Sequence, residues 1–200
     1  MLVQGKVRRR TQRERSDVTQ AALVGAARDL FASGGYHATP AEEIVRKAGV
    51  TSGALYHHFG DKRGLFRAAF DAVERSLAER VRQAALGGKN PWARLERGVS
   101  EYLQACAGRE VRQIVLVDGP SVLGWEEWRE ADAAHHLRPL AATLAAAMRA
   151  GLMERRPALP LARVLLGSLT EAGLASTAER SANESAMFWV LRRLKRGSER

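Results

Sequence analysis

A single cysteine, Cys106, in 200 residues excludes an intrachain disulfide, so the chain suits a reducing compartment. Long apolar runs are also missing. The longest stretch without Asp, Glu, Lys or Arg is 13 residues, Ala48 to Gly60, and it holds two histidines. A membrane span needs roughly 18 or more apolar residues, so none is expected. The Arg-rich start has no apolar segment behind it, which argues against a secretory signal and for a cytoplasmic protein. No glycine-rich phosphate loop or Ser-His-Asp arrangement stands out, and Cys106 lacks the context of an activated thiol, so no catalytic site is expected. The histidines come as neighbours, His57-His58 and His135-His136. Neighbours on a helix point about 100° apart and chelate poorly. Neither a metal site nor a cofactor is expected.

What is present is helical. Alanine and leucine dominate the second half, a composition that favours helices over strands. The net charge is +10, unevenly placed. Residues 1–67 hold 12 Lys/Arg against 6 Asp/Glu, residues 192–200 hold 5 against 1, and the intervening segment has 15 of each. A basic head and short basic tail on a neutral body fit a polyanion partner at the head.

Local signals divide the chain. Lys6, Arg8, Arg9, Arg10, Arg13 and Arg15 form a basic arm, residues 1–16, with Ser16 or Asp17 able to cap the first helix. Leu23, Ala26, Ala27, Leu30 and Phe31 recur at helical spacing until Gly34-Gly35. Thr39-Pro40-Ala41-Glu42 reads as a capping box that opens a short helix to Ala48. Thr51 caps a second, ending near Phe59, and Asp61 caps a long third that runs to Gly87-Gly88. Asn90-Pro91 opens the next. Val111 to Val117 could pass for a strand, but its helical surroundings favour a short helix, with Asp118-Gly119-Pro120 as its stop. A long alanine-rich helix is expected from Trp125 to Met153, disturbed at Pro139, followed by helices over 161–178 and 183–195.

Two short helices joined through Gly49 make a helix-turn-helix, in which the first braces the second and the second enters the major groove. Ile44, Ala48, Val50, Leu55 and Phe59 are its inner set. The expected DNA contacts are Thr39, Thr51, Ser52, Gly53, Ala54, Tyr56, His57 and Lys62. Small residues let the helix start approach base edges, while hydroxyl, imidazole and ammonium groups donate to phosphate. Thr39 lies at a helix start that could also attract phosphate.

The run Ala41-Glu42-Glu43-Ile44-Val45-Arg46-Lys47-Ala48-Gly49-Val50-Thr51-Ser52-Gly53-Ala54-Leu55-Tyr56-His57-His58-Phe59, followed by Asp61-Lys62, resembles the N-terminal signature of the TetR family of bacterial regulators. The resemblance spans residues 17–70, and the Leu-Tyr-His-His-Phe segment and Lys62 are its most specific part. Val45 departs from the usual alanine. Gly64 replaces a longer residue, which is expected to weaken its helix start. A weaker likeness to some members lies over Leu116 to Trp125.

The resemblance implies an all-α, two-domain subunit of about nine helices. A helix-turn-helix head, residues 17–64, would precede an effector-binding and dimerisation domain, residues 65–200. It further implies a repressor that reads palindromic double-stranded DNA as a homodimer through its two C-terminal helices and leaves it when a small-molecule effector binds. Trp92, Tyr102, Cys106, Trp125, Trp128 and Met148 are candidate effector-pocket residues, although aromatics at helical spacing are more often core. Asp118, Glu126 and Glu127 could hold a cationic effector. Leu165, Leu166, Leu169, Leu174, Met187, Phe188 and Leu191, with Gly167 and Gly173, would serve a dimer face or the subunit's own core. The alternative function is a helical enzyme or interaction scaffold with a basic surface.

Overall fold

Four of the first five helices begin on a side-chain cap. The computed structural model describes residues 11–175 and 178–196, and all regular elements among them are helical. Helix α1 (Gln12–Ala38) starts at Thr11, whose hydroxyl accepts the Glu14 N–H while the Glu14 carboxylate accepts the Thr11 N–H. This start lies ahead of Ser16 and Asp17, so Arg13 and Arg15 ride on α1 instead of on an arm. Lys6, Arg8, Arg9 and Arg10 lie outside the described residues. Thr51 caps α3 (Ser52–Phe59), Asp61 caps α4 (Lys62–Leu86) and Asn90 caps α5 (Pro91–Cys106).

The exception is α2 (Ala41–Ala48). The chain leaves helical geometry at Gly35, and one further turn carries it to Thr39. There the Thr39 hydroxyl donates to the Gly35 carbonyl at 2.7 Å, and the residue is only 3% exposed. Its oxygen is therefore drawn inward. The N-cap falls on Pro40 with no side-chain bond, and the expected Thr39–Glu42 capping box does not form.

In the body, Val111–Asp118 is helical with a widened π-type turn (π1) and runs directly into α6 (Gly119–Leu123). Asp118-Gly119-Pro120 is thus not a stop. Pro120 occupies the first turn of α6, where its missing N–H is tolerated, and the chain turns only at Gly124. Helix α7 (Trp125–Asp132), a second wide segment π2 (Ala133–Leu137) and α8 (Arg138–Arg149) form one long rod. Pro139 cannot donate to the carbonyl one turn back and would crowd it, and the wide turn before it makes room. Helices α9 (Ala158–Leu174) and α10 (Arg180–Leu194) complete nine rods among the described residues. No helix among them is long and apolar enough to cross a membrane.

The central strut is α4, which packs on α1, α5 and π1. Its Phe66 meets Phe31 and Tyr36 edge-on at 5.3 and 5.1 Å. Gly64 is demanded at its start, because a Cβ there would collide with the Phe59 carbonyl oxygen. What reads in the sequence as a weakened helix start is the close approach that joins α3 to α4.

Leu165, Leu166 and Leu169 of α9, and Met187 and Leu191 of α10, are buried within their own subunit, and a Cβ on Gly173 would press on Cys106. These are core residues. The uncovered face of the same helices carries Val164, Gly167, Ser168, Ala186, Trp189 and Val190. The basic tail begins in contact with the body: Arg196 N–H donates to the Leu152 carbonyl and the Lys195 ammonium stands over Trp92.

Candidate nucleic-acid interface and interior cavities

Helix α3 is held from beneath and bare above. Gly49 takes the left-handed conformation (φ 66) that closes α2 and turns the chain within two residues, which a residue with a Cβ adopts only with strain. Ile44 and Leu55 are fully buried against α1, with Ala48, Val50 and Phe59 partly buried beside them. Thr51, Ser52, Gly53, Tyr56 and His57 face solvent, and Ala54 is half-buried. Tyr56 is 55% exposed, unusual for an aromatic ring with no role outside its own chain. His58 turns inward, its Nδ1 within 3.3 Å of the Gln20 amide.

The two helix starts differ electrically. The first turn of α2 carries Glu42 and Glu43, which offset the positive end of the helix. The first turn of α3 has no acidic residue, so its N–H groups present an unopposed anion-attracting end. Thr39 does not reach outward from α2. Lys62 stands 4.2 Å over the Tyr36 ring, and partial burial there lowers its pKa.

Polar links join this region to the rest. Arg28 pairs with Glu110 through two bonds of 2.8 and 3.0 Å, and the Tyr36 N–H donates to buried Asp118 at 2.8 Å. Arg63 donates to the carbonyls of Val122 and Leu123 and to Glu127 at 2.5 Å, while Arg67 joins Asp71 and Glu127. Burial opposes charge on Glu127, but its arginine partners outweigh that and hold its pKa below the usual range. Asp118 and Glu127 are therefore committed within the subunit, and Glu126 lies exposed.

Besides an open groove of about 700 Å³ along the bare face of α9 and α10, two better-enclosed cavities lie in the body. The larger, about 420 Å³, sits between α4, α5, the α7–α8 rod and α9, with Val81, Val99, Tyr102 and Leu140 in its apolar wall and Arg75 and Arg82 among its polar residues. The smaller, about 200 Å³, is lined by Trp125, Trp128, Asp132 and Leu137 among others. Of the six expected pocket residues, Tyr102 faces the larger cavity and Trp125 and Trp128 the smaller. Trp92, Cys106 and Met148 line neither and belong to the core. Burial pushes the Cys106 thiol up to about 12, which leaves it inert.

Between the cavities lies a cluster that sequence reasoning missed. Glu74, Asp132 and His136 are all buried, and His136 Nε2 meets Glu74 Oε2 at 2.6 Å. Burial pushes Asp132 up to about 6, with Glu74 adding repulsion. Burial disfavours charge on His136, but Glu74 outweighs it and raises its pKa. Two signals in the sequence point to it. Glu74 interrupts the apolar stripe Phe70, Val73, Leu77, and Asp132 and His136 are spaced i, i+4.

Residues 23–69 match the family described as bacterial regulatory proteins, tetR family, and residues 92–198 match the tetracyclin repressor-like C-terminal domain. The Transposon Tn10 TetC protein of Escherichia coli is 32% identical over 116 residues, 58% of each chain. The HTH-type transcriptional repressor BepR of Brucella suis biovar 1 is 34% identical over 109 residues, 54% of this chain and 52% of that one. The matches thus span little more than half of these relatives. A crystal structure of a TetR-family transcriptional regulator from Pectobacterium atrosepticum superposes with a TM-score of 0.83 at 28% identity, covering 94% of this chain and 98% of the other.

Proposed function

The chain belongs to the TetR family of bacterial regulatory proteins, and from that premise we propose that it is a homodimeric repressor released from a palindromic operator by a small molecule. The observation that carries this reading is α3, whose inner side is locked by Leu55 while its outer side offers Thr51, Ser52, Gly53, Tyr56 and His57 around an unopposed helix start. Thr51 and Tyr56 contact phosphate, and the small residues at 52–54 admit base edges. Thr39 contributes only by holding the entry to α2.

One such head reads few base pairs, so a two-fold pair is needed for a specific site. The face of α9 and α10 bearing Val164 (67% exposed), Trp189 (56%) and Val190 (42%) supports a four-helix dimer seam. The larger cavity is the effector site, since it is apolar with few polar groups and lies against the α4 strut. BepR, 34% identical over 109 residues, is named a repressor.

Fluorescence anisotropy on DNA fragments from the protein's own upstream region tests the reading. Binding should be salt-sensitive, fall on Tyr56→Ala with Lys62→Ala, and involve two chains per site. No binding at low salt by folded wild-type protein would sink the reading and favour an enzyme or scaffold.

A further inference from the structure

We propose that Glu74, Asp132 and His136 form a binding site for a single divalent transition-metal ion in the body of the subunit. One ligand atom from each residue lies within 4.8 Å of the others. An ion with bonds of about 2.0–2.2 Å bridges atoms roughly 3.4 Å apart at tetrahedral angles, so small side-chain movements close the set. Asp132 and His136 come from one rod and share a face, with the wide turn π2 beginning between them. Glu74 comes across from α4.

The electrostatics favour a cation. Glu74 is 0% exposed, and its Oε1 has no hydrogen-bond partner. An unpaired buried carboxylate oxygen is costly, and two carboxylates side by side repel. Among the described residues no Lys or Arg forms an ion pair with any of the three, and Arg129 reaches Asp132 only through longer-range attraction. In the metal-free state the hydrogen on the 2.6 Å contact between His136 and Glu74 takes the cation's place. An entering ion displaces that proton and opens the contact by roughly 0.8 Å to reach normal metal–ligand spacing.

Access and remaining coordination are set by position. His136 lines the larger cavity and Asp132 the smaller, so the ion would sit in the wall between them with positions left for water. The Tyr102 hydroxyl, buried beside Cys106 and Thr170, lies on the ring packed edge-on against His136 at 5.5 Å. It can donate to a metal-bound water. One imidazole with two carboxylates suits Zn²⁺, Mn²⁺ or Fe²⁺ better than the softer thiolate-seeking ions.

Ion binding is a property of the body and stands apart from repression. Full-length protein stripped with a chelator and dialysed is titrated calorimetrically with ZnCl₂, and with CoCl₂ followed by visible absorption. One ion per chain is expected, with cobalt bands of low-coordinate N/O ligation. Glu74→Gln should weaken binding by more than the roughly 10–100-fold typical of a lost supporting group. Asp132→Asn, which leaves the Glu74–His136 contact intact, should do the same with an unchanged circular dichroism spectrum. His135→Gln should bind as wild type. Absence of binding by folded wild-type protein overturns the site, as does stoichiometric binding that survives Glu74→Gln and Asp132→Asn, since that would place the ion on exposed histidines such as His57.

Discussion

Among the described residues, the head (α1 to α3) buries one polar side chain, Thr39, whereas α4 and the body bury Glu74, Asp118, Asp132 and His136. The head's interior is otherwise aliphatic and aromatic, and the starts of α1 and α3 are capped by Thr11 and Thr51 from within three residues. The body encloses two cavities and a charge cluster between them. The difference teaches how one chain divides its work. Presenting a recognition surface needs a single rigid arrangement, and an apolar core with local caps supplies it. The response to a small molecule proposed for the body would need space and groups whose charge can change, and both lower packing quality where they occur.

The sharpest way to break this comparison is to unbalance the buried cluster. His136→Ala leaves Glu74 without its partner and should cost about 3–5 kcal/mol in denaturant unfolding. Replacing both, Glu74→Leu with His136→Leu, should cost less than His136→Ala alone, because removing a buried pair is milder than halving it. Equal losses would mean that charge does not govern this part of the body. In the head the largest cost should come from shape. Leu55→Ala removes a fully buried side chain beneath α3 and should lose about 2–5 kcal/mol, read from the same unfolding curves.

Turning to the outer face of the same helix and to the first residue of α4, Tyr56→Ala with Lys62→Ala should leave the melting temperature nearly unchanged while weakening DNA binding about 10–100-fold. The salt slope should become shallower by about one for the lost lysine. A large drop in stability would show that the two faces of α3 are not separable. The smallest effect belongs to the links between the regions. Arg63→Ala should cost about 0–1 kcal/mol, since the pair with Glu127 is partly exposed. Glu127 has a lowered pKa, so this contribution is present above the ordinary carboxylate range and lost as pH falls through the folded value. A pH titration of stability should therefore flatten on the acid side in Glu127→Gln.

The same contrast explains what could be read from sequence. The turn at Gly49 and the caps at Thr51, Asp61 and Asn90 are decided by residues within four positions, and each stands where its local pattern places it. Thr39 misleads because Gly35, a residue just upstream, offers its hydroxyl a better partner than the helix start. Gly64 reads as a defect until the Phe59 carbonyl is seen against it. In the body the partners are distant: 62 positions separate Glu74 from His136, and only the packing of α4 on the α7–α8 rod joins them. Helix α9 is apolar on two sides, so composition alone could not say which stripe its own subunit covers. Leu165, Leu166 and Leu169 turn inward, and Val164, at the edge of the same run, is left bare.

The tie from Arg63 to the carbonyls of Val122 and Leu123 has a mechanical consequence. Helix α4 is 25 residues long, about 37 Å at 1.5 Å per residue. The larger cavity lies along its C-terminal half, at Arg75, Ala78, Val81 and Arg82, while the recognition helix abuts its first turn. With the proposed effector in that cavity, the strut would act as a lever with its load at one end and its output at the other. A tilt of about 5° displaces the far tip by roughly 3 Å over that length. Hydrogen bonds to bases tolerate only a few tenths of an ångström. In the proposed dimer, two heads joined by a seam on α9 and α10 would swing in opposite senses, and a modest change in cavity filling would be geared up into a spacing that the two grooves of a duplex no longer match.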